Sequence, residues 1–408
     1  LDAPDGDKGT YGIAPVEPEM VIDYDDIITW NDYPGKPEGL NTYGFLSSLS
    51  PDGRYAVSMV NEAMFVVNHE DYTFLQAFYP TRGILAWTET TTRAIQSLPG
   101  ADDDRYVHCT PTWTPDGKTL VFARAQARDP YETDKPLPEC PNDPNEPEIR
   151  YDLVRIPFDE GRGGEAVPIE GASSNGMSNT FPRVSPDGKW LVYTKCRNGL
   201  LMRPDGRLWI VPVEGGEARE MRCNTSRMNS WHSWSPNSRW LVFSSKQYSP
   251  YTQMLLTHID EDGNDTPAIL IPNSTPANRA VNIPEFLNAP YDALQSIDVP
   301  GVRHRQDMRR GDRLLEQNRI PEALNFFRRA IAANPDHAGA HVSLGKALGL
   351  TGAFEDALRQ FENALRLDPT AVEAHLHLSL ILLELGRVEP AIRQGEQYLE
   401  RSWQDPQA

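Results

Sequence analysis

The pattern of apolar and polar positions changes near residue 300. Before that point, short runs of Val, Tyr, Phe and Trp are separated by Pro, Gly, Asp and Ser, which predicts many short β-strands. After it, Ala, Leu, Arg and Glu dominate, and apolar residues recur at helical spacing. Three prolines within residues 281–306 mark the junction between a strand-rich part and a helical part.

The helical part repeats itself with a step of 34 residues. The segment GDRLLEQNRIPEALNFFRRAIAANP is followed by GKALGLTGAFEDALRQFENALRLDP, and a third copy departs from the pattern at Ser379, Gly395 and Tyr398. Residues 303–408 therefore resemble three tetratricopeptide repeats, in which small residues let paired helices approach and a proline ends the second helix. The matching positions are Gly311, Ala323, Phe327, Ala330, Pro335, Gly345, Ala357, Phe361, Ala364, Pro369 and Ala391.

The strand-rich part also repeats. SLSPDGRYAVS, TWTPDGKTLVFA, RVSPDGKWLVYT and SWSPNSRWLVFS share one template around Pro51, Pro115, Pro186 and Pro236. Pro, Asp and Gly are turn formers, so each tetrad predicts a hairpin connection. In the fourth copy Asn237 is expected to take the left-handed position. The run after each turn is apolar on both faces, which indicates small sheets packed face to face around an axis, a β-propeller.

These hairpins resemble the TolB-like (WD40-like) β-propeller family. The resemblance implies an all-β propeller of about six blades, of which four hairpins are visible. The expectation is that N-terminal blade material is absent from this chain, and the alternative is a smaller or irregular propeller. The predicted organisation is an extension at 1–20, a propeller at 21–290, a linker at 291–302 and repeats at 303–408. NGMSNTFPRVSPDGKWLVYTKC and NSWHSWSPNSRWLVFSSK resemble an exported bacterial subfamily, which implies a periplasmic or extracellular location. Some of its members carry C-terminal tetratricopeptide repeats, and some accompany multihaem cytochromes.

Charge and cysteine content narrow the function. The net charge of −19 argues against nucleic acid as a partner, since nucleic acid requires a basic footprint. No stretch is long and apolar enough for a membrane span, and no Cys-x-x-Cys-His motif supports covalent haem. Cys196 and Cys223 flank a strand–turn–strand segment and are predicted to form a disulfide if the protein is exported. The alternative is four unpaired buried thiols.

One set of polar residues is a candidate ligand site. His108, Asn179 and Asn229 each lie seven residues before a turn proline, with Ser178 beside Asn179. If the strand before the turn is innermost, these side chains ring one mouth of a central channel and can bind a small ligand. The alternative is that they only satisfy hydrogen bonds of the inner strands. His232 is predicted to be a structural residue hydrogen-bonded between blades.

No catalytic motif, metal site or cofactor is predicted. The resulting hypothesis is a non-catalytic interaction scaffold of the bacterial envelope or exterior, which contacts other proteins through its repeats and its propeller face. The alternative is an accessory subunit of a multihaem-cytochrome or other redox complex, or a propeller that binds or converts a ligand at its channel mouth.

Overall fold

The chain divides into two compact units. One is built mainly from residues 28–289, and the other from residues 290–408 together with residues 11–27. The N-terminal residues 21–27 therefore group with the helices, although the sequence assigned them to the propeller. The computed structural model describes residues 10–13, 15–23, 26–37, 42, 44–68, 76–129, 131, 136–200, 202–274, 280–290 and 292–402.

Strands are the main regular secondary structure among the described residues before 300. Three short strands come first, namely Thr10–Gly12 (β1), Glu19–Val21 (β2) and Ile27–Thr29 (β3), with β1 paired to β3. Four meanders of four antiparallel strands then follow in chain order. They are Ser48–Leu49 (β4), Tyr55–Asn68 (β5), Gln76–Glu89 (β6) and Gln96–Ser97 (β7); Tyr106–Trp113 (β8), Thr119–Gln126 (β9), Asp152–Pro157 (β10) and Val167–Pro168 (β11); Ser178–Val184 (β12), Trp190–Cys196 (β13), Arg207–Pro212 (β14) and Arg219–Glu220 (β15); Asn229–Trp234 (β16), Trp240–Ser245 (β17), Gln253–His258 (β18) and Ile269–Leu270 (β19).

Each meander pairs strands that are neighbours in the sequence. A single parallel bridge between Gly83 and Val107 joins the first meander to the second. Ser296–Asp298 (β20) lies outside the meanders and pairs in parallel with β2. The strand-rich part thus consists of several sheets, each of which can form from local hairpins. The sheets of the four meanders are numbered first to fourth in chain order.

The predicted hairpin connections are confirmed, because each turn proline lies between two paired antiparallel strands. In the first hairpin, Ser50 Oγ donates to Asp52 Oδ1 (2.6 Å) and accepts the Tyr55 N–H (2.9 Å). Gly53 takes the left-handed conformation with φ of 73°. The corresponding hydroxyl-to-Oδ1 distances at Thr114, Ser185 and Ser235 are 2.7, 2.6 and 2.7 Å.

The fourth hairpin corrects one prediction. Asn237 takes the role of the aspartate by accepting the hydroxyl of Ser235, and the left-handed residue is Ser238, with φ of 57°. A non-glycine residue is strained in this region. The Ser238 Oγ accepts the N–H of Asp187 in the turn of the third sheet at 2.9 Å, which glycine cannot do. The hydroxyl therefore ties two neighbouring turns together.

Burial on both faces is also confirmed for the strands after the turns. Leu241, Val242 and Phe243 follow one another in β17, and each is at most 4% exposed. Two apolar clusters enclose these strands, one built mainly from the first three meanders with Trp231 of the fourth, and one from the third and fourth meanders. Sheet-to-sheet packing, rather than a single exposed sheet, therefore buries this part of the chain.

The helical unit contains three helix pairs, and its first helix begins three residues before the predicted repeat boundary. The helices are Pro300–Glu316 (α1), Ile320–Ala333 (α2), Ala338–Leu350 (α3), Phe354–Leu367 (α4), Val372–Glu384 (α5) and Val388–Ser402 (α6). A Cβ at Gly345 would lie 2.8 Å from the Phe361 ring, so only glycine permits this helix approach. In the third pair, Ser379 faces Gly395 instead, and its Oγ donates to the Ala391 carbonyl at 2.9 Å.

Candidate functional site

The four residues predicted at a channel mouth lie on the first strands of three successive sheets. His108 is in β8, Ser178 and Asn179 are in β12, and Asn229 is in β16, and all four are buried. Strand β12 contacts both β8 and β16. No hydrogen bond joins any two of the four side chains in the described part of the chain. The role of each residue therefore has to be judged from its own hydrogen-bond partners.

Asn179 and Asn229 use their amides to connect loops and sheets. The Asn179 Nδ2 donates to the carbonyl of Tyr151, the residue before strand β10 (3.2 Å), and its Oδ1 accepts from Asn175 (3.0 Å). The Asn229 Nδ2 donates to the Gly206 carbonyl of the third sheet at 3.1 Å. These equivalent bonds favour the structural interpretation of both residues over the ligand-binding one.

His108 and Ser178 are similarly enclosed. Burial, together with the nearby Arg124 guanidinium, lowers the pKa of His108 to about 4, so the ring is neutral near pH 7. The ring packs against Phe122, with centroids 5.5 Å apart, and its Nδ1 has no hydrogen-bond partner among the described residues. The Ser178 hydroxyl donates to the Gly199 carbonyl.

His232 confirms its predicted structural role. Its Nε2 lies 3.0 Å from the carbonyl oxygen of Val192, which belongs to the neighbouring sheet. Because a carbonyl only accepts, Nε2 carries the proton. Burial lowers the pKa of His232 to about 3, and the ring packs edge-on against Phe181 at 5.2 Å. The neutral ring therefore joins two sheets without holding a charge.

The predicted disulfide between Cys196 and Cys223 is not formed, and both residues are buried free thiols. Strand β14 lies between the strands that lead to them, because β13 and β15 both pair with it. Two inter-strand spacings separate the Cα atoms by about 9–10 Å, whereas a disulfide spans at most about 7 Å. Burial raises the pKa of Cys196 to about 12, which keeps that thiol protonated and unreactive.

Residues 127–151, between β9 and β10, form an acidic, proline-rich insertion. Sequence reasoning missed a buried ion pair that anchors this insertion. The Arg203 guanidinium donates twice to Glu146, at 2.6 and 2.7 Å, and both side chains are at most 3% exposed. Tyr79 from the first sheet also donates to Glu146, at 3.2 Å. Because 57 positions separate Glu146 from Arg203, no local pattern signals this contact.

The first helices of the repeats carry a row of mixed charge. Ser343 on α3 donates to Asp312 on α1 (3.4 Å), and Lys346 on α3 pairs with Glu373 on α5 (3.4 Å). Burial raises the pKa of Asp312, with Lys346 acting in the opposite direction. This row lies on the helices that line the concave surface of such repeats, so it defines a candidate partner-binding surface.

A histidine network connects successive repeats and also escaped sequence reasoning. The two ring nitrogens of His341 lie 2.8 Å from Gln360 Oε1 and 2.9 Å from the Pro335 carbonyl. His375 repeats the arrangement with Gln394 (2.7 Å) and the carbonyl that follows α4 (3.2 Å). The signal was present, because both the histidines and the glutamines recur at the 34-residue step.

Among the described residues, no group of three or more His, Cys, Asp or Glu side chains is placed to hold a metal ion. No helix within the described part of the chain has the length and apolar character needed to cross a bilayer.

Two family models match the helical part of the chain. One is described as Tetratricopeptide repeat and covers residues 351–406, and the other is described as TPR repeat and covers residues 311–352. Comparison with curated proteins gives no match.

Solved structures give partial likenesses. The second TPR of Spaghetti (RPAP3) bound to the HSP90 peptide SRMEEVD is 21% identical, with 24% of this chain and 90% of that chain covered and a TM-score of 0.24. MamA is 20% identical, with coverages of 26% and 63% and a TM-score of 0.25. The Arabidopsis OM64 TPR domain is 20% identical, with coverages of 26% and 86% and a TM-score of 0.25. The family matches and the three helix pairs together show tetratricopeptide repeats in the C-terminal region, which indicates a protein–protein interaction role.

Proposed function

We propose that this chain is a non-catalytic interaction scaffold of the bacterial envelope or exterior. In this proposal the strand unit is a TolB-like β-propeller that serves as a rigid platform, and the repeats bind a partner protein. The observation that carries the proposal is the matched tetratricopeptide region with its three helix pairs. Such repeats bind through the surface formed by their first helices.

The sheet arrangement supports the platform. Four consecutive four-stranded meanders, each with the same hydroxyl-bonded hairpin after its first strand, are what a propeller requires. The polar residues on the first strands favour a structural role over ligand binding. The amide groups of Asn179 and Asn229 already donate to the carbonyls of Tyr151 and Gly206. The envelope location rests on the resemblance of the hairpin segments to exported proteins.

Charge reversal on the concave surface tests the interaction role. We expect the intact chain, used as tagged bait in a lysate of the source cells, to recover a partner in near-stoichiometric amount. The double variant Asp312→Lys, Lys346→Glu should reduce recovery at least tenfold, because it inverts the charge row. The exposed pair Arg162→Glu, Asp159→Lys on the strand unit is a matched control that should not change recovery. Equal recovery with wild type and the concave-surface variant contradicts the proposal.

A further inference from the structure

The last helix pair has an apolar face that no described residue covers. Five large side chains on α5 and α6 are each between 48% and 54% exposed. We call this set the terminal face. It consists of Leu380, Leu383, Val388, Ile392 and Leu399.

Internal repetition shows how this face is used one repeat earlier. Stepping back 34 residues from Leu383 and Ile392 leads to Gly349 and Leu358. A Cβ at Gly349 would lie 3.1 Å from Ile381 on α5, and Leu358 is only 8% exposed. Leu383 and Ile392, at the centre of the terminal face, thus stand at positions that the second repeat packs against the third.

Helix α5 covers the equivalent face of the second repeat, so it shows what kind of segment fits the terminal face. Helix α5 buries Ala374, Leu378, Ile381 and Leu382, which recur at the spacing of one helical face. A partner that fills the terminal face should therefore be an amphipathic helix with the same apolar spacing.

The first repeat of another copy does not offer such a helix. The α1 residues equivalent to Leu378 and Ile381 are Arg310 and Arg313, and both are exposed. Arg310 and Arg313 stand at the positions that α5 buries, so head-to-tail stacking of two copies would bury their guanidinium groups against the apolar side chains of the terminal face, which includes no carboxylate. Burying a charge without a partner is costly.

Charge selects among the remaining occupants. Three exposed glutamates surround the terminal face. Each lies three or four positions from a terminal-face residue on the same helix, a spacing that brings side chains together. They are Glu384 at the end of α5, and Glu389 and Glu396 on α6.

Three arginines belong to this helix pair: Arg387 lines the cleft between α4 and α6, Arg401 bonds Gln397, and Arg393 is exposed on α6. At about 100° per residue, Arg393 lies farther around α6 from Val388, Ile392 and Leu399 than Glu389 and Glu396 do. The face is therefore apolar with an acidic rim, and two copies meeting through it would place like charges together.

We propose that the terminal face binds a basic amphipathic helix of a partner protein. This inference rests on the interaction role proposed above, but it places the contact on the end of the repeat array rather than on the charge row of Asp312 and Lys346.

The test uses three 18-residue fluorescent peptides and the full chain in anisotropy titrations. One peptide has Leu at the α5 spacing and Lys elsewhere, the second has the same composition in scrambled order, and the third replaces Lys with Glu. We expect the first peptide to bind at least tenfold more tightly than either of the others. Equal binding of all three overturns the proposal.

Matched variants locate the contact. The variant Leu383→Asp, Ile392→Asp should weaken the basic peptide at least tenfold, whereas Leu350→Asp should leave it unchanged, since Leu350 is 65% exposed but outside the terminal face. If the double variant fails to fold, the charge reversal Glu384→Lys, Glu396→Lys replaces it and should weaken the basic peptide while improving the acidic one. Unchanged affinity in these variants overturns the proposal.

Two outcomes separate this inference from the wider one. The concave-surface variant Asp312→Lys, Lys346→Glu should bind the basic peptide within twofold of wild type. If this variant loses peptide binding, the peptide contacts the concave surface, which overturns the terminal-face proposal and leaves the interaction role intact. A wild-type dimer in light scattering that becomes monomeric in Leu383→Asp, Ile392→Asp would show a second copy as the occupant, which also overturns it.

Discussion

Replacing Glu146 with glutamine removes one charge from the buried ion pair that anchors the proline-rich insertion. The carboxylate accepts two bonds from Arg203 and one from Tyr79, and it also accepts the N–H of Asn142 at 2.7 Å. An amide presents one acceptor oxygen and an NH₂ group that only donates, so it faces the guanidinium with the wrong polarity. The substitution therefore leaves the Arg203 charge buried and uncompensated.

The cost follows from burial. Because both side chains are at most 3% exposed, solvent screening does not reduce the interaction. Removing one partner of such a pair costs about 3–5 kcal/mol, since the remaining charge is desolvated. For a unit of this size, one kcal/mol corresponds to about 2–4 °C in melting temperature, which gives a decrease of about 6–20 °C.

Two spectroscopic signals separate the units in one thermal scan. Eight of the nine tryptophans lie within residues 28–289, so their fluorescence reports chiefly on the strand unit, whereas ellipticity at 222 nm reports chiefly on the helices. We expect Glu146→Gln to lower the fluorescence midpoint and leave the ellipticity midpoint within 2 °C, a margin of about the effect of 1 kcal/mol.

The matched control is Glu214→Gln, because the Glu214 side chain is 83% exposed in its pair with Arg155 and such pairs contribute little. The combined variant Glu146→Leu, Arg203→Met should recover part of the loss, since an apolar pair leaves no buried charge. A change below about 1 kcal/mol for Glu146→Gln would refute the reasoning.

Three further predictions concern packing, a turn and pH. Gly345→Ala should cost about 1–3 kcal/mol in urea unfolding followed at 222 nm, because its Cβ would lie 2.8 Å from the Phe361 ring; an unchanged midpoint contradicts this. Ser238→Ala should destabilise the strand unit more than Ser238→Gly, because both lose the Asp187 bond but only alanine keeps the strained φ of 57°; the reverse order in thermal scans would disprove it. Burial lowers the pKa of His232 to about 3 from its ordinary 6.5, so the unfolded chain binds more protons than the folded chain between these pH values. Stability should therefore fall as pH decreases from 6.5 towards 3, and His232→Gln should show a shallower fall in urea unfolding; parallel pH profiles would exclude this origin.

Local patterns predicted the secondary structure well, and the reason is visible in particular residues. The hairpin around Ser50 and Asp52 is closed by bonds between residues at most five positions apart. The approach of α3 and α4 depends on Gly345 and Phe361, whose 34-residue periodicity was readable in the chain. Even here, the left-handed position of the fourth turn went to Ser238 because of a contact with another sheet.

The candidate site was less predictable, because the role of each polar residue depends on hydrogen-bond partners that are remote in sequence. Asn179 and Asn229 were placed correctly on first strands, yet only the structure shows that their amides bind the carbonyls of Tyr151 and Gly206. A polar residue on a strand looks the same whether it faces a ligand or a neighbouring loop. Sequence spacing carries no information on that choice.

The hairpins, the helix pairs and the division near residue 300 follow from the order of residues along the chain, because turn chemistry, apolar period and helix packing act over short distances in sequence. Only the tertiary structure decided that Arg203 meets Glu146, that β14 separates Cys196 from Cys223, and that the last helix pair leaves an apolar face exposed. These outcomes depend on which strands and helices lie side by side, and the free energy of burying or pairing a group is settled only by those neighbours.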